Sequence, residues 1–156
     1  MPRTIADGEV VIMFAPTVAN TSAPTAAEVG AGDDITPWLS SLDTPLDGDS
    51  VDSSDLSSAF NKTVAGTYGG GATATLYRDD SVDTAWDLFP RNALGYLIVR
   101  RFGGSDTAIA ASDDVEVWYV RVITESPATM DRNNVQTFDV DFAVLEEPVL
   151  DATVAA

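Results

Sequence analysis

At 156 residues the chain is near the common size of one domain, and it carries twenty-five carboxylates against eight cationic side chains, a formal charge of −17. It contains no His and no Cys, which removes imidazole and thiol catalysis, zinc sites of the usual ligand types and every disulfide. That charge opposes binding to duplex DNA, which rests on Lys and Arg neutralising phosphates, and no apolar run approaches the roughly 20 residues of a membrane helix. Acidity of this degree fits a surface along which DNA slides without sticking, and equally solubility or a salty environment. A hydrophobic content of 45% is that of a globular chain with one core, and the opening residues lack the basic-then-apolar order of an export signal.

In chain order, "EVVIMF" (Glu9 to Phe14) is a short β-prone run ended by Pro16. The small, polar, aperiodic stretch that follows, residues 15–34, reads as an extended arm. "ITPWLSSL" (Ile35 to Leu42) contains Pro37 and so fits an edge or bulged strand. Residues 43–71 read as a second open stretch, with Asp43, Asp47, Asp49, Asp52 and Asp55 before any cation and the flexible "GTYGGG" at its end. "ATATLYR" alternates as a strand. Asp80 or Ser81 then caps the one expected helix, whose Val82, Ala85, Trp86 and Phe89 share a face and which Pro90 stops. Strands follow at Leu94 to Phe102, Val115 to Thr124 and Val135 to Glu146. The last is the clearest periodic signal, with Phe138, Val140, Phe142 and Val144 on one face and Thr137, Asp139 and Asp141 on the other. The expected fold is mainly β, an antiparallel β-sandwich or barrel with one flanking helix and long loops, as a single domain over residues 1–156. Trp86, Phe89, Phe138 and Phe142 are its expected core anchors.

The residue inventory argues against catalysis. Carboxylate doublets such as Asp79/Asp80 and Glu146/Glu147 are what turns and helix starts select. Glu116 and Glu125 make the best two-carboxylate enzyme case, but nothing in the sequence fixes their separation. "DGDSVDSSD" has the oxygen density of a calcium loop without the EF-hand order, and "GTYGGG" lacks the Lys-Ser or Lys-Thr of a phosphate loop. No cofactor and no metal are expected.

The order "ITPWLSSL", a long loop, "DDSVDTAWDLFPRNALGYLIVRR", "DDVEVWYVRVI" and "VQTFDVDFAVLEEPV" resembles the major tail tube proteins of long-tailed, non-contractile phages, particularly those of actinobacterial hosts. The resemblance spans Ile35 to Val149 and contains no catalytic signature. It implies six copies forming a ring whose inner sheets join into one barrel, with rings stacked around a tape measure protein that passing double-stranded DNA later replaces. It implies as partners the protein's own copies, the tape measure protein, and the tail terminator and distal tail proteins, with no membrane. The location implied is the virion tail, reached through assembly in the host cytoplasm. The loop at residues 43–71, with Asp47, Asp49, Asp52 and Asp55, takes the place of the family's inter-ring loop, and Thr137, Asp139 and Asp141 become candidates for the lumen.

A subunit of −17 must overcome self-repulsion on assembling, which gives Arg91, Arg100 and Arg101 a possible purpose. Arg100 and Arg101 point to opposite faces of their strand, so one can reach a neighbour's acidic loop, or each can pair with an Asp of its own chain. The competing reading is a non-catalytic β-sandwich binding or virion decoration module, including one from a salt-loving source. A single Lys, Lys62, fits that pressure.

Overall fold

The computed structural model describes residues 2–156. Its strands are β1 (Val11–Ala15), β2 (Asp33–Asp34), β3 (Leu39–Asp43), β4 (Leu46–Asp52), β5 (Thr63–Tyr77), β6 (Leu94–Arg100), β7 (Asp114–Pro127), β8 (Thr137–Val144) and β9 (Val149–Thr153). Two short helices, α1 (Ala26–Gly30) and α2 (Thr84–Leu88), and a 3-10 turn at Thr36–Trp38 complete it. All strands belong to one antiparallel system with the order β2-β1-β6-β7-β8-β5-β3, β4 pairing with β5 and β9 with β7.

The two ends of that order, β2 and β3, are consecutive in the chain and joined only by Ile35 and the 3-10 turn. The sheet therefore rolls until its edges approach each other. The Ile35 amide donates to the Ile12 carbonyl at 3.1 Å, and the Ile12 amide donates to Thr36 Oγ1 at 2.8 Å, which fixes the connection against β1 while β3 pairs with β5 alone. Inside the roll lies the main core, where Phe14 meets Phe89 edge-on at 5.0 Å, Phe89 meets Phe142 at 5.6 Å, and Trp86 meets Phe138 at 5.2 Å. Gly95 permits this closeness, because a Cβ there would stand 2.5 Å from the Phe14 ring.

A second core covers the outer face of β1, β6 and β7, formed by Val18, Val29, Ile98, Val115, Val117, Ala152 and Val154. Burial on both faces explains why β6 reads as an almost continuous apolar run. Part of the covering, Val18 and Val29, comes from the segment expected to be an open arm, which is a correction to the sequence reading, and Ala152 and Val154 supply the rest. Thr25 and Glu28 form a capping box that starts α1, placing Val29 against the sheet, and the Ala26 and Ala155 backbones tie the segment to the C-terminal residues.

Two further expectations change. Helix α2 starts after Asp83 instead of after Asp80 or Ser81, and Val82 is exposed, because the Asp83 carboxylate is taken by Arg78 (2.7 Å) and the Asp79 amide. The stretch at 43–71 is a β-hairpin of β4 and the first half of β5, paired from Leu46 opposite Gly70 to Asp52 opposite Thr63 with a one-residue slip between Gly48 and Ser50.

Candidate functional site

One part of the rolled body has a bare outer face. The second half of β7, β8, the second half of β5, and β3 form a four-stranded panel with its apolar side chains on the main core. The register sets the other side: Asp43 opposite Thr73, Ser41 opposite Thr75, Thr73 opposite Asp141, Thr75 opposite Asp139, Tyr77 opposite Thr137, and Thr124 and Ser126 of β7 opposite Asp141 and Asp139. Thr137, Asp139 and Asp141 thus share one polar face with residues of three other strands. Thr75 Oγ1 donates to Asp139 Oδ1 at 2.7 Å, and Thr124 Oγ1 lies 3.4 Å from Asp141 Oδ2. Arg121 stands in the row of Gly71 and Ala143, at the margin of this face. The hydroxyl-bearing partners were legible in the alternation of "ATATLYR"; their placement beside Asp139 and Asp141 was not.

The panel has two free edges on opposite sides. β3 pairs only with β5, and residues Thr124 to Pro127 of β7 pair only with β8, since β6 reaches no further than Arg121 and β9 no further than Val117. A cleft of about 650 Å³, lined in part by Leu39, Ser40, Ser41, Leu42 and Arg101, runs beside β3.

The arginines divide. Arg100 does not face a neighbour: it is 3% exposed, and its guanidinium donates to Asp113 Oδ2 (3.0 Å) and to the carbonyls of Gly104 (2.7 Å), Thr107 and Ala108 (3.1 Å). The reason is the loop 102–113, which folds over the side chain with Gly103 and Gly104 at positive φ. The Ala110 amide and then Arg100 hold the Asp113 carboxyl below its usual range. Arg101 points outward but grips its own Glu116 by two bonds of 2.6 and 3.0 Å, which raises the Arg101 pKa. Arg91, in the turn between α2 and β6, is exposed and makes no ion pair among the described residues. Of the three, Arg91 is the one its own subunit leaves unpaired.

Glu116 and Glu125 are not brought into an enzyme-like pair, since Glu116 is held by Arg101 and Glu125 lies at the far end of β7. The core anchors Phe89, Phe138 and Phe142 are buried, and Trp86 is half-buried against them.

The hairpin leaves the body with all of β4 exposed. Asp47, Asp49 and Asp52 lie along β4, and Asp55 lies in the tip, where it pairs with Lys62 at 3.1 Å. Leu56 and Phe60 of the tip are exposed with nothing of their own subunit to cover them. At its base the Gly71 amide donates to the Pro45 carbonyl at 3.1 Å, and the Tyr68 hydroxyl donates to the Glu147 carboxylate, an acceptor that raises the Tyr68 pKa. At the opposite end of β5 the loops around α2 and between β7 and β8 expose Val82, Met130 and Val135.

A polar-faced antiparallel panel on a rolled sheet, with free edges and a projecting hairpin, is the form of a structural building block. The family model described as phage tail tube protein matches residues 1–156, and the chain belongs to that family. It is a structural family, whose members are components of the virion tail. Solved structures share the fold. A chain from the tail of an empty gene transfer agent (GTA) particle, refined with helical and C6 symmetry, aligns with TM-score 0.59 and 13% identity over 96% of this chain and all of that one. A chain of the SPP1 tail tube aligns with TM-score 0.62 and 9% identity over 97% of this chain and 81% of that one. A chain of the anti-feeding prophage baseplate aligns with TM-score 0.55 and 10% identity, over 96% of each chain. No curated protein matches the sequence.

Proposed function

We propose that six copies close into a ring by joining their panels edge to edge, β3 of one copy beside residues Thr124 to Pro127 of the next, with the polar face lining a lumen. The observation that carries this reading is the panel itself, one face on the core, the other polar, and two unpaired edges on opposite sides. Edges on opposite sides give a head-to-tail contact, and such contacts close into rings when the rotation allows. The number six follows the C6 symmetry of the GTA tail. Thr137, Asp139 and Asp141 then form acidic, hydroxyl-rich rings that repel the phosphates of DNA passing to the host.

Rings stack through the hairpin at 43–71. The fifteen residues of β5 span about 50 Å at the usual strand rise, so the tip and the loops around α2 lie at opposite ends of the subunit. Leu56 and Phe60 of one ring meet Val82, Met130 and Val135 of the next. Arg91 and Arg132, unpaired among the described residues, offer counter-charges to Asp52 and Asp55. Such tubes enclose a tape measure protein and end on tail terminator and distal tail proteins, after assembly in the host cytoplasm.

Since the native chain has no Cys, the seam is testable by chemistry. With Ser41→Cys and Ser126→Cys in one chain, a short bis-maleimide should link copies into a ladder ending at six when rings are present in electron micrographs. Rings that give no ladder would overturn this pairing of edges.

A further inference from the structure

The register of β7 against β8 slips between Val122 and Thr124, so Ile123 is a bulge. Before the bulge Val122 faces the core opposite Phe142. After it, Thr124 and Ser126 join the polar face, and Glu125, opposite the fully buried Val140, is turned toward the core beneath α2. Its Oε2 is buried and has no hydrogen-bond partner.

The charged groups around it are Arg78 just after β5, Asp83 at the start of α2 and Asp87 within it, whereas β8 presents only Val140 and Phe138 on that side. Arg78 is already committed, with Nη2 2.5 Å from Asp83 Oδ2 and the guanidinium 4.1 Å over the Trp86 ring. Glu125 therefore shares its surroundings with two other carboxylates and with one guanidinium that is already bonded to Asp83, and an ionised Glu125 loses hydration without gaining a donor.

We propose that Glu125 is a proton switch for the seating of α2: protonated, it lies against the core and lets α2 pack over the end of the sheet, and ionised, it repels Asp83 and Asp87 and loosens that helix. Burial, partly opposed by Arg78 and reinforced by Asp83 and Asp87, pushes the Glu125 carboxyl up to about 7 from an ordinary 4.5. A folded value above the unfolded one means that the native state holds the extra proton, so stability falls as pH rises from the unfolded value through the folded one. The absence of His and Cys makes this visible, because between about pH 5.5 and 8.5 only the α-amino group otherwise titrates at its ordinary value. The loops beside α2 are those assigned to receive the hairpin, so the same proton biases ring stacking. That consequence alone rests on the proposed function.

The test uses the full chain as a monomer. A carbon-13 NMR titration should place the Glu125 carboxyl midpoint near 7, and the melting temperature should fall from about pH 5 to 8 at constant salt. Glu125→Gln should flatten that profile and melt above wild type at the alkaline end. Asp87→Asn should move the midpoint to lower pH, since one repelling carboxylate is gone. A midpoint in the ordinary carboxylate range, a Glu125→Gln profile with the wild-type slope, or a midpoint unmoved by Asp87→Asn would overturn the switch. A pH-sensitive monomer whose tubes stack equally at every pH would count against the receiving surface and leave the switch standing.

Discussion

β5 is one strand with two different lives. From Ala72 to Leu76 its alternate residues Ala72, Ala74 and Leu76 are sealed in the main core while Thr73 and Thr75 face out, and β3 and β8 flank it. From Thr63 to Gly70 it has a single partner, β4, and no core on either face. A lone two-stranded ribbon is marginal in water. Its geometry is inherited from the body through the shared strand, and its exposed apolar residues Leu56, Phe60, Val51 and Val64 find no burial within the subunit. The comparison separates what holds the subunit together from what is left over for other copies, and substitutions should sort by which half of β5 they neighbour.

The largest effect belongs to the body. Phe89 is fully buried and joins Phe14 to Phe142, so Phe89→Ala should cost about 3–5 kcal/mol by chemical denaturation, a large part of an ordinary domain's stability. A cost below about 1 kcal/mol would mean that the roll does not close on this ring.

Next comes the ion pair between the buried Arg100 and Asp113, whose side chain is 33% exposed. Asp113→Asn removes the charge facing Arg100 but keeps an acceptor for the Ala110 amide, and should cost about 1.5–3 kcal/mol near neutral pH. The sign with pH is that of a depressed carboxyl. In the wild type this stabilisation is present above the ordinary value of 3.8 and is lost as pH falls through the lower folded value. The variant should lack that part of the acid slope, measured as the difference between melting temperatures near pH 6 and pH 3.

These two halves were unequally legible in the sequence. β8 could be read because its neighbours demand opposite things of its two faces, apolar for Phe138, Val140 and Phe142, polar for Asp139 and Asp141. The hairpin could not, because a ribbon exposed on both sides imposes no alternation, and "LDGDSVD" is poor in residues with high strand propensity. Helix α1 did leave a signal, Thr25 followed three residues later by Glu28, yet five residues are too few for a helical period to show. The burial of Arg100 left none. It depends on a glycine-containing loop folding back over the strand end, and the turning of Glu125 toward the core depends on a bulge that shifts the register by one residue.

The hairpin should be nearly silent in folding experiments. Val51 and Val64 face each other across the ribbon and are both about half exposed, so Val64→Ser should change the denaturation midpoint by no more than about 0.5 kcal/mol equivalent. A loss several times larger would show that the ribbon is an integral part of the subunit's cooperative unit.

The smallest effect on the subunit should accompany the most specific loss in assembly. Leu56 and Phe60 are exposed at the tip, and nothing within the chain packs on them, so Leu56→Asp with Phe60→Asp should leave the melting temperature of the monomer unchanged. The new carboxylates join Asp52 and Asp55, where Lys62 is the single counter-charge. Burying this tip between rings would then require desolvating two unpaired charges, a cost of several kcal/mol that apolar contacts of this size do not offset. Ring closure, in the proposed arrangement, uses the panel edges and should survive. Electron micrographs of the double variant should therefore show single rings without tubes, and infectivity carried by such subunits should fail. Tubes of normal length from a well-folded variant would move the stacking contact away from the hairpin tip, and loss of rings as well as tubes would show that the hairpin also reaches its neighbour within the ring.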